Sequence, residues 1–302
     1  MSQPVLIVIL GPTAIGKTAL AIDVAKHFQT EIISADSRQI FRELNIGVAR
    51  PSEEELAQVK HHFIATSSIH DQVSAGRFAE QARATLHDLF QQHEVVVCAG
   101  GSMLYLDAFI QGLDDLPGNP ELRQQLMQEH QDKGMGWLNA RLQELDPVYY
   151  DQVDLHNPHR VIRALEVCIT SGQPFSTLRT SAHQPLPCRV VKIGIEAPRE
   201  EMYQRINERV LNMMDQGLEE EARALLPHRE LNALNTVGYQ ELFAYFDGAM
   251  SKQEAIERIQ QHTRNFAKRQ LTWWRRDDDI QWASSDQWRS RDWRLFIDTF
   301  RD

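Results

Sequence analysis

Cysteine is scarce in this chain. Cys98, Cys168 and Cys188 stand far apart in 302 residues. An odd number of thiols without C-x-x-C spacing excludes a disulfide framework and a thiolate metal clip, and fits a reducing compartment. Long hydrophobic runs are missing too. The apolar stretch Val5-Leu6-Ile7-Val8-Ile9-Leu10 has only six residues and no Lys or Arg ahead of it, too little for a signal-peptide core or a membrane span. The expectation is a cytoplasmic protein with no membrane partner. Nor is there an internal repeat, a low-complexity tract or a long block of like charge. His61-His62 and His156-Asn157-Pro158-His159 lack Cys or acidic partners at zinc-like spacing, so a structural metal is not expected. What remains is an ordinary folded composition, 42% apolar and 25% charged, with 32 basic against 42 acidic side chains and a net charge of −10. That total disfavours nonspecific binding of polyanions unless positive charge gathers locally.

The length corresponds to about two domains. Val5–Leu10 is a continuous β-branched and Leu run, the pattern of a strand buried on both faces of a parallel sheet. Ala19, Leu20, Ile22, Val24, Ala25 and Phe28 follow as one helical stripe. Further strands are expected at Glu31–Ser34, His62–Ile64, Val95–Ala99, Val190–Ile195 and Ile280–Trp282, separated by helical segments. This alternation predicts an α/β fold, a P-loop NTPase-like parallel sheet core. From Leu116 to His183 only helical periodicity is found, between Leu116-Pro117-Gly118-Asn119-Pro120 and Gln184-Pro185-Leu186-Pro187. The expected organisation is a core of residues 1–115 and 185–302 carrying an inserted all-helical domain at 116–184.

Gly11-Pro12-Thr13-Ala14-Ile15-Gly16-Lys17-Thr18 matches G-x-x-x-x-G-K-[ST] between the first strand and the first helix. In that context the glycines let successive backbone N–H groups curl around an anion, Lys17 adds charge, and the Thr18 hydroxyl can hold Mg²⁺. The loop does not say which phosphate it takes. An ATP-dependent kinase is the default reading, but the Val95–Ala99 strand ends in Gly100-Gly101-Ser102 with no Asp to serve a nucleotide-bound metal. Asp36 follows the second strand, where open α/β sheets place their ligand crevice; a helix or turn cap is its other reading. Cys98 reads as a small buried hydrophobe.

Between Ala255 and Arg276 six basic residues oppose Glu257 alone, a local net charge of +5. With Trp273 and Trp274 beside Arg275 and Arg276, the segment suits phosphate neutralisation and base stacking. A solvated helix face with buried tryptophans is the alternative. Arg160 and Arg163 sit at i, i+3 and could converge on one phosphate, or pair with nearby acids.

Taken in order, Gly11 to Thr18, Ser34-Ala35-Asp36-Ser37, Ile46-Gly47-Val48-Ala49-Arg50-Pro51-Ser52, His61-His62-Phe63, Gly100-Gly101-Ser102-Met103-Leu104-Tyr105, Arg160 to Val167, Val237-Gly238-Tyr239 and Lys268 to Trp273 resemble the bacterial tRNA dimethylallyltransferases, nearly end to end. Val48 stands where Thr is usual, Arg50 where Lys is usual and Ser102 where many members have Thr. The resemblance implies transfer of a dimethylallyl group from dimethylallyl diphosphate to N6 of the adenine 3′ of the anticodon, A37, in tRNAs reading codons that start with U, with release of diphosphate. It implies catalytic roles for Asp36, Ser102 and Lys17, donor binding by Gly11 to Thr18 and Arg209, and Mg²⁺ at Thr18. The tRNA anticodon stem-loop would be contacted by Asp36-Ser37-Arg38-Gln39, Ser102, Arg123, His159-Arg160-Val161-Ile162-Arg163, Asn235-Thr236-Val237-Gly238-Tyr239-Gln240 and Lys268-Arg269-Gln270-Leu271-Thr272-Trp273-Trp274-Arg275. A monomer is expected. A small-molecule kinase, a prenyl transferase using free adenylate and an RNA-binding protein with a vestigial loop are the rivals; the basic helix and the motif order disfavour the second.

Overall fold

In the computed structural model the described residues are 3–114, 116–179 and 184–299. Six parallel strands, β1 (Val5–Leu10), β2 (Ile32–Ala35), β3 (His61–His62), β4 (Val95–Gly100), β5 (Arg189–Ile195) and β6 (Gln281–Ala283), form one sheet in the order β3-β2-β4-β1-β5-β6. The uninterrupted apolar run of β1 is explained by its place: paired with β4 on one side and β5 on the other, it is buried along its whole length. Alternation sends Ile7 and Ile9 to one face, against the helix Lys17–Phe28 and Trp288, and Leu6, Val8 and Leu10 to the other, against Phe78, Phe109 and Trp274. Burying both faces in this way removes apolar surface from water at about 25 cal/mol per Å².

The β3 strand differs from expectation. It holds only His61 and His62, because Phe63 and Ala65 have φ of 64° and 51° and turn the chain out of the sheet. His62 bonds Glu31 through Nε2 at 2.6 Å while His61 turns to the other side, onto a cavity wall. The last strand is displaced by one residue, to Gln281–Ala283, and the second likewise, to Ile32–Ala35.

By contacts the chain divides into two compact units, Met1–Ile110 with Pro185–Asp302, and Gln111–Gln184. Where the sequence starts the inserted segment at 116, the contacts start it at Gln111, the last residue of the helix Met103–Gln111. Residues 1–2, 115, 180–183 and 300–302, which the expected boundaries include, lie outside the described residues. Among its described residues the second unit has helices joined by loops and no strand. Its helices Pro120–Lys133 and Pro158–Ser171 open with Asn119 and Asn157 as side-chain caps followed by Pro at the first helical position. Leu126, Leu138, Leu142, Val161 and Leu165 form its core.

Candidate active site

Because β2, β4 and β1 are neighbours and parallel, their C-terminal ends bring three loops together: the phosphate loop, the Asp36 turn and Gly101-Ser102. Gly11 leaves β1 with φ 148°, and a Cβ there would lie 2.7 Å from the Ile195 carbonyl oxygen, so the loop can start only at a glycine. The helix Lys17–Phe28 has no side-chain cap and no acidic residue in its first turn. Its first N–H groups, with the positive end of the helix dipole, are therefore presented to whatever occupies the loop. Lys17 Nζ donates to the Gly11 and Pro12 carbonyls at 3.0 and 2.7 Å. Desolvation, and secondarily the Arg209 charge, lower its pKa to about 7, against the opposing pull of Asp36. Arg209, from the helix Arg199–Asp215, donates to Thr13 Oγ1 at 3.1 Å. Burial also lowers the pKa of its guanidinium. Two half-buried basic side chains beside free helix N–H groups form a strong anion receptor.

Asp36 serves as a turn cap, and that leaves it available for chemistry. Its Oδ1 accepts the backbone N–H of Arg38 and Gln39 at 2.9 and 3.2 Å, which fixes the carboxylate, while its other oxygen is not used in that cap. The rest of the segment is scaffolding. Ser102 Oγ accepts Ser37 N–H at 2.8 Å and donates to Ser37 Oγ at 3.0 Å. Arg38 donates to the carbonyls of Asn232, Ala233 and Asn235, and Gln39 to those of Val48 and Ala49. Two cavities meet at this point. One, of about 450 Å³, is lined by Thr13 to Ala19, Arg50 and His61. The other, of about 390 Å³, is lined by Ser102, Val210, Val237, Phe266 and Arg269. Thr13, Asp36, Val48 and Arg209 line both.

Several residues expected to touch RNA are placed elsewhere. Tyr239 is fully buried and its hydroxyl donates to Glu221 Oε1 at 2.6 Å; burial and that carboxylate push the phenol pKa up, so it remains a donor. On the helix Lys252–Trp274, Gln270 and Trp274 are 1% and 3% exposed and face the core. Trp273 is half-buried, with its indole N–H on Asp107 at 2.9 Å. The tryptophans are therefore packing residues and not a stacking platform. Lys268, Arg269, Thr272 and Arg275 occupy the exposed face of the same helix, which is where a helix with one buried stripe must put them. Leu271 is half-buried and packs with Met202 and Ile206.

In the second unit Val161 and Ile162 are core residues. Arg163 does not join Arg160. It bonds Glu166 at 2.9 Å and the carbonyls of Leu116 and Pro117, and Arg123 bonds the same carboxylate at 2.6 Å. Glu166 is 1% exposed. Burial alone would raise its pKa, but the two arginines and the Asn119 N–H reverse that and hold it below the ordinary value. His159 and Arg160 stay exposed.

The residue reading missed Glu221. Its carboxylate accepts the backbone N–H groups of Asn45, Ile46 and Gly47 as well as the Tyr239 hydroxyl, and so fixes the loop that carries Val48. In sequence it is one of three consecutive glutamates in a helix first turn, where the helix dipole is explanation enough. Among the described residues no three His, Cys, Asp or Glu side chains cluster. Mg²⁺ bound with phosphate oxygens and water needs only one or two protein oxygens. Thr18, on the wall of the loop cavity with Asp36, fits that demand.

The chain is similar to known proteins over most of its length. A profile of the IPP transferase family matches residues 39–277. The chain is 52% identical over 283 residues to a tRNA dimethylallyltransferase of Christiangramia forsetii, covering 93% of this chain and 94% of that one. It is 47% identical to tRNA dimethylallyltransferase 1 of Bacteroides thetaiotaomicron, covering 94% and 93%. The crystal structure of the full-length tRNA isopentenylpyrophosphate transferase from Bacillus halodurans superposes with a TM-score of 0.70 at 31% identity, over 97% of this chain and 95% of that chain. A eukaryotic dimethylallyltransferase acting on tRNA shares the fold, with a TM-score of 0.79 at 21% identity over 97% and 78% of the two chains.

Proposed function

We infer that this chain, which belongs to the IPP transferase family, transfers a dimethylallyl group to tRNA, with dimethylallyl diphosphate as donor and N6 of A37, the adenine 3′ of the anticodon, as acceptor. The observation that carries this reading is the wall common to the two cavities: Thr13, Asp36, Val48 and Arg209 line both. A diphosphate in the loop and an adenine entering from the other cavity would thus meet beside one carboxylate.

The donor's diphosphate binds the loop through the N–H groups of residues 14–18, Lys17 and Arg209. As the allylic C–O bond breaks, negative charge grows on the leaving diphosphate. Pre-placed cations in a desolvated site stabilise that charge without reorganising, usually the largest single contribution to catalysis. Lys17, with its pKa lowered to about 7, takes up a proton as the anion binds. Asp36 accepts a proton from the adenine N6 as the new C–N bond forms, a general-base role worth about 10² to 10⁴ in rate. Ser102 holds the Asp36 turn through Ser37 and acts as a positioning residue. Thr18 would hold Mg²⁺, which when bound screens the diphosphate charge.

The adenine must leave the anticodon-loop stack, at a cost of a few kcal/mol. The exposed row Lys268, Arg269 and Arg275 supplies phosphate contacts; in the second unit, taken by itself, the exposed His159 and Arg160 are the residues suited to the same role. Selection of tRNAs reading U-starting codons, action as a monomer and a cytoplasmic location belong to this same reading. Among the described residues no helix is long and apolar enough to cross a membrane. Incubation with radiolabelled dimethylallyl diphosphate, Mg²⁺ and unmodified tRNA, followed by nuclease digestion, should give N6-prenyladenosine at A37. Label on free AMP alone, or phosphate transfer from ATP, would overturn the proposal.

A further inference from the structure

Gln270 lies where a buried polar side chain needs a reason. It shares the inward stripe of its helix with Ala255, Ile259, Ala267 and Trp274, and it is 1% exposed. An amide in that position is tolerated only when its hydrogen bonds are made. Both ends are engaged: Oε1 accepts the Thr13 N–H at 2.9 Å, and Nε2 donates to the Gly101 carbonyl at 2.7 Å. The amide orientation follows from these partners, since a flipped group would set N–H against N–H and oxygen against oxygen. The fit extends to the partner loop. A Cβ on Gly101 would stand 2.7 Å from Gln270 Nε2 but 3.7 Å from Lys17 Nζ, so a side chain there would strike the glutamine first.

We propose that Gln270 is a positioning residue of the donor site, an amide strut that fixes the phosphate loop at Thr13 against the exit of β4 and ties both to the helix that carries Lys268 and Arg269. The inference rests on the diphosphate reading of the loop and goes beyond it. By occupying the Thr13 N–H, Gln270 leaves anion binding to the amides that follow. Gln270 thus holds Thr13 by its backbone N–H while Arg209 bonds its hydroxyl, so the strut and the half-buried guanidinium fix one loop residue from two sides. Neighbouring residues of one helix thereby serve different substrates: Lys268 and Arg269 face outward to RNA, and Gln270 faces inward to the donor loop.

The test is direct binding of inorganic diphosphate with Mg²⁺ by calorimetry, alongside tRNA binding measured across a salt series and thermal melting. Gln270→Met keeps an unbranched side chain of similar size and removes both bonds. It should weaken diphosphate binding at least tenfold while tRNA affinity and its salt slope change less than twofold. Gly101→Ala should reproduce the donor-side loss from the opposite end of the strut. The double variant should be little worse than either single one, because both remove the same link. Diphosphate binding unchanged in Gln270→Met overturns the inference, as does loss of tRNA affinity with a reduced salt slope, which would make Gln270 an RNA contact. Fully additive losses in the double variant overturn it too. Absence of diphosphate binding by the unaltered chain overturns the reading of the loop and this inference together.

Discussion

In the proposed reading the donor side and the RNA side of this molecule both rely on positive charge, in opposite states. At the phosphate loop Lys17 and Arg209 are few and partly desolvated, and each is fixed by bonds to the loop. On the outer face of the helix Lys252–Trp274, Lys268, Arg269 and Arg275 are exposed to solvent. A desolvated cation in a fixed place acts on charge that appears only during reaction, so it serves rate. A solvated row acts on phosphates present before and after reaction, so it serves affinity and is screened by salt. On that reading the same side-chain chemistry does two jobs because burial differs.

The largest effect expected from breaking this contrast is at its centre. Asp36→Ala should lower kcat by about 10² to 10⁴ while tRNA affinity in a filter-binding assay stays nearly constant. Comparable loss of binding would make Asp36 a turn cap and nothing more.

A second perturbation separates chemistry from architecture. Glu166→Ala leaves Arg123 and Arg163 without their shared carboxylate. Both arginines are partly solvated, so the expected destabilisation is about 1–3 kcal/mol, read from chemical denaturation. The sign with pH follows from the lowered pKa of Glu166. Its contribution is complete above the ordinary glutamate value and is lost as the pH falls through the lowered one. The variant should therefore match the parent only in acid, and an equal deficit at every pH would contradict the pairing.

The third concerns Lys17. Because its pKa is lowered to about 7, the neutral form grows above that pH, and the donor KM should rise there. Lys17→Arg keeps its charge and should lose that rise, whatever its effect on kcat. A parallel rise in both would assign the titration to the diphosphate itself. The smallest effect belongs to the outer row. Lys268→Ala should weaken every tRNA alike and reduce the slope of log affinity against log salt by about 1, leaving kcat at saturating tRNA unchanged.

Much of the loop proposed to take the donor was legible in the residues because its signals are local. A buried strand, a glycine pattern and a helix start occupy fourteen consecutive positions from Val5 to Thr18, and the backbone geometry that cradles an anion depends on little else. The position of Asp36 at the crevice, and the cap it makes there, were legible from its place after a strand. The RNA face was only half legible. The run Lys268 to Arg275 contains both the solvent row and the core stripe, and residue types alone do not tell them apart. Trp273 and Trp274 look like base-stacking residues and turn out to pack the sheet, and Gln270 looks like an RNA contact and is instead held by Thr13 and Gly101. The polar residue on an otherwise apolar stripe was the available clue. Arg163 shows the same limit, since its partner Glu166 lies one helical turn away and competes with any outside phosphate.

By itself the sequence determined what is encoded over a few residues: the parallel α/β pattern, the phosphate loop and the family of enzymes to which the chain belongs. Tertiary structure decided which charges stay in water, which arginines pair with Glu166, and that Glu221 and Gln270 hold loops far from them in the chain. The physical reason is that local backbone preferences act over one or two turns, whereas desolvation and hydrogen-bond partners are fixed only when distant segments pack.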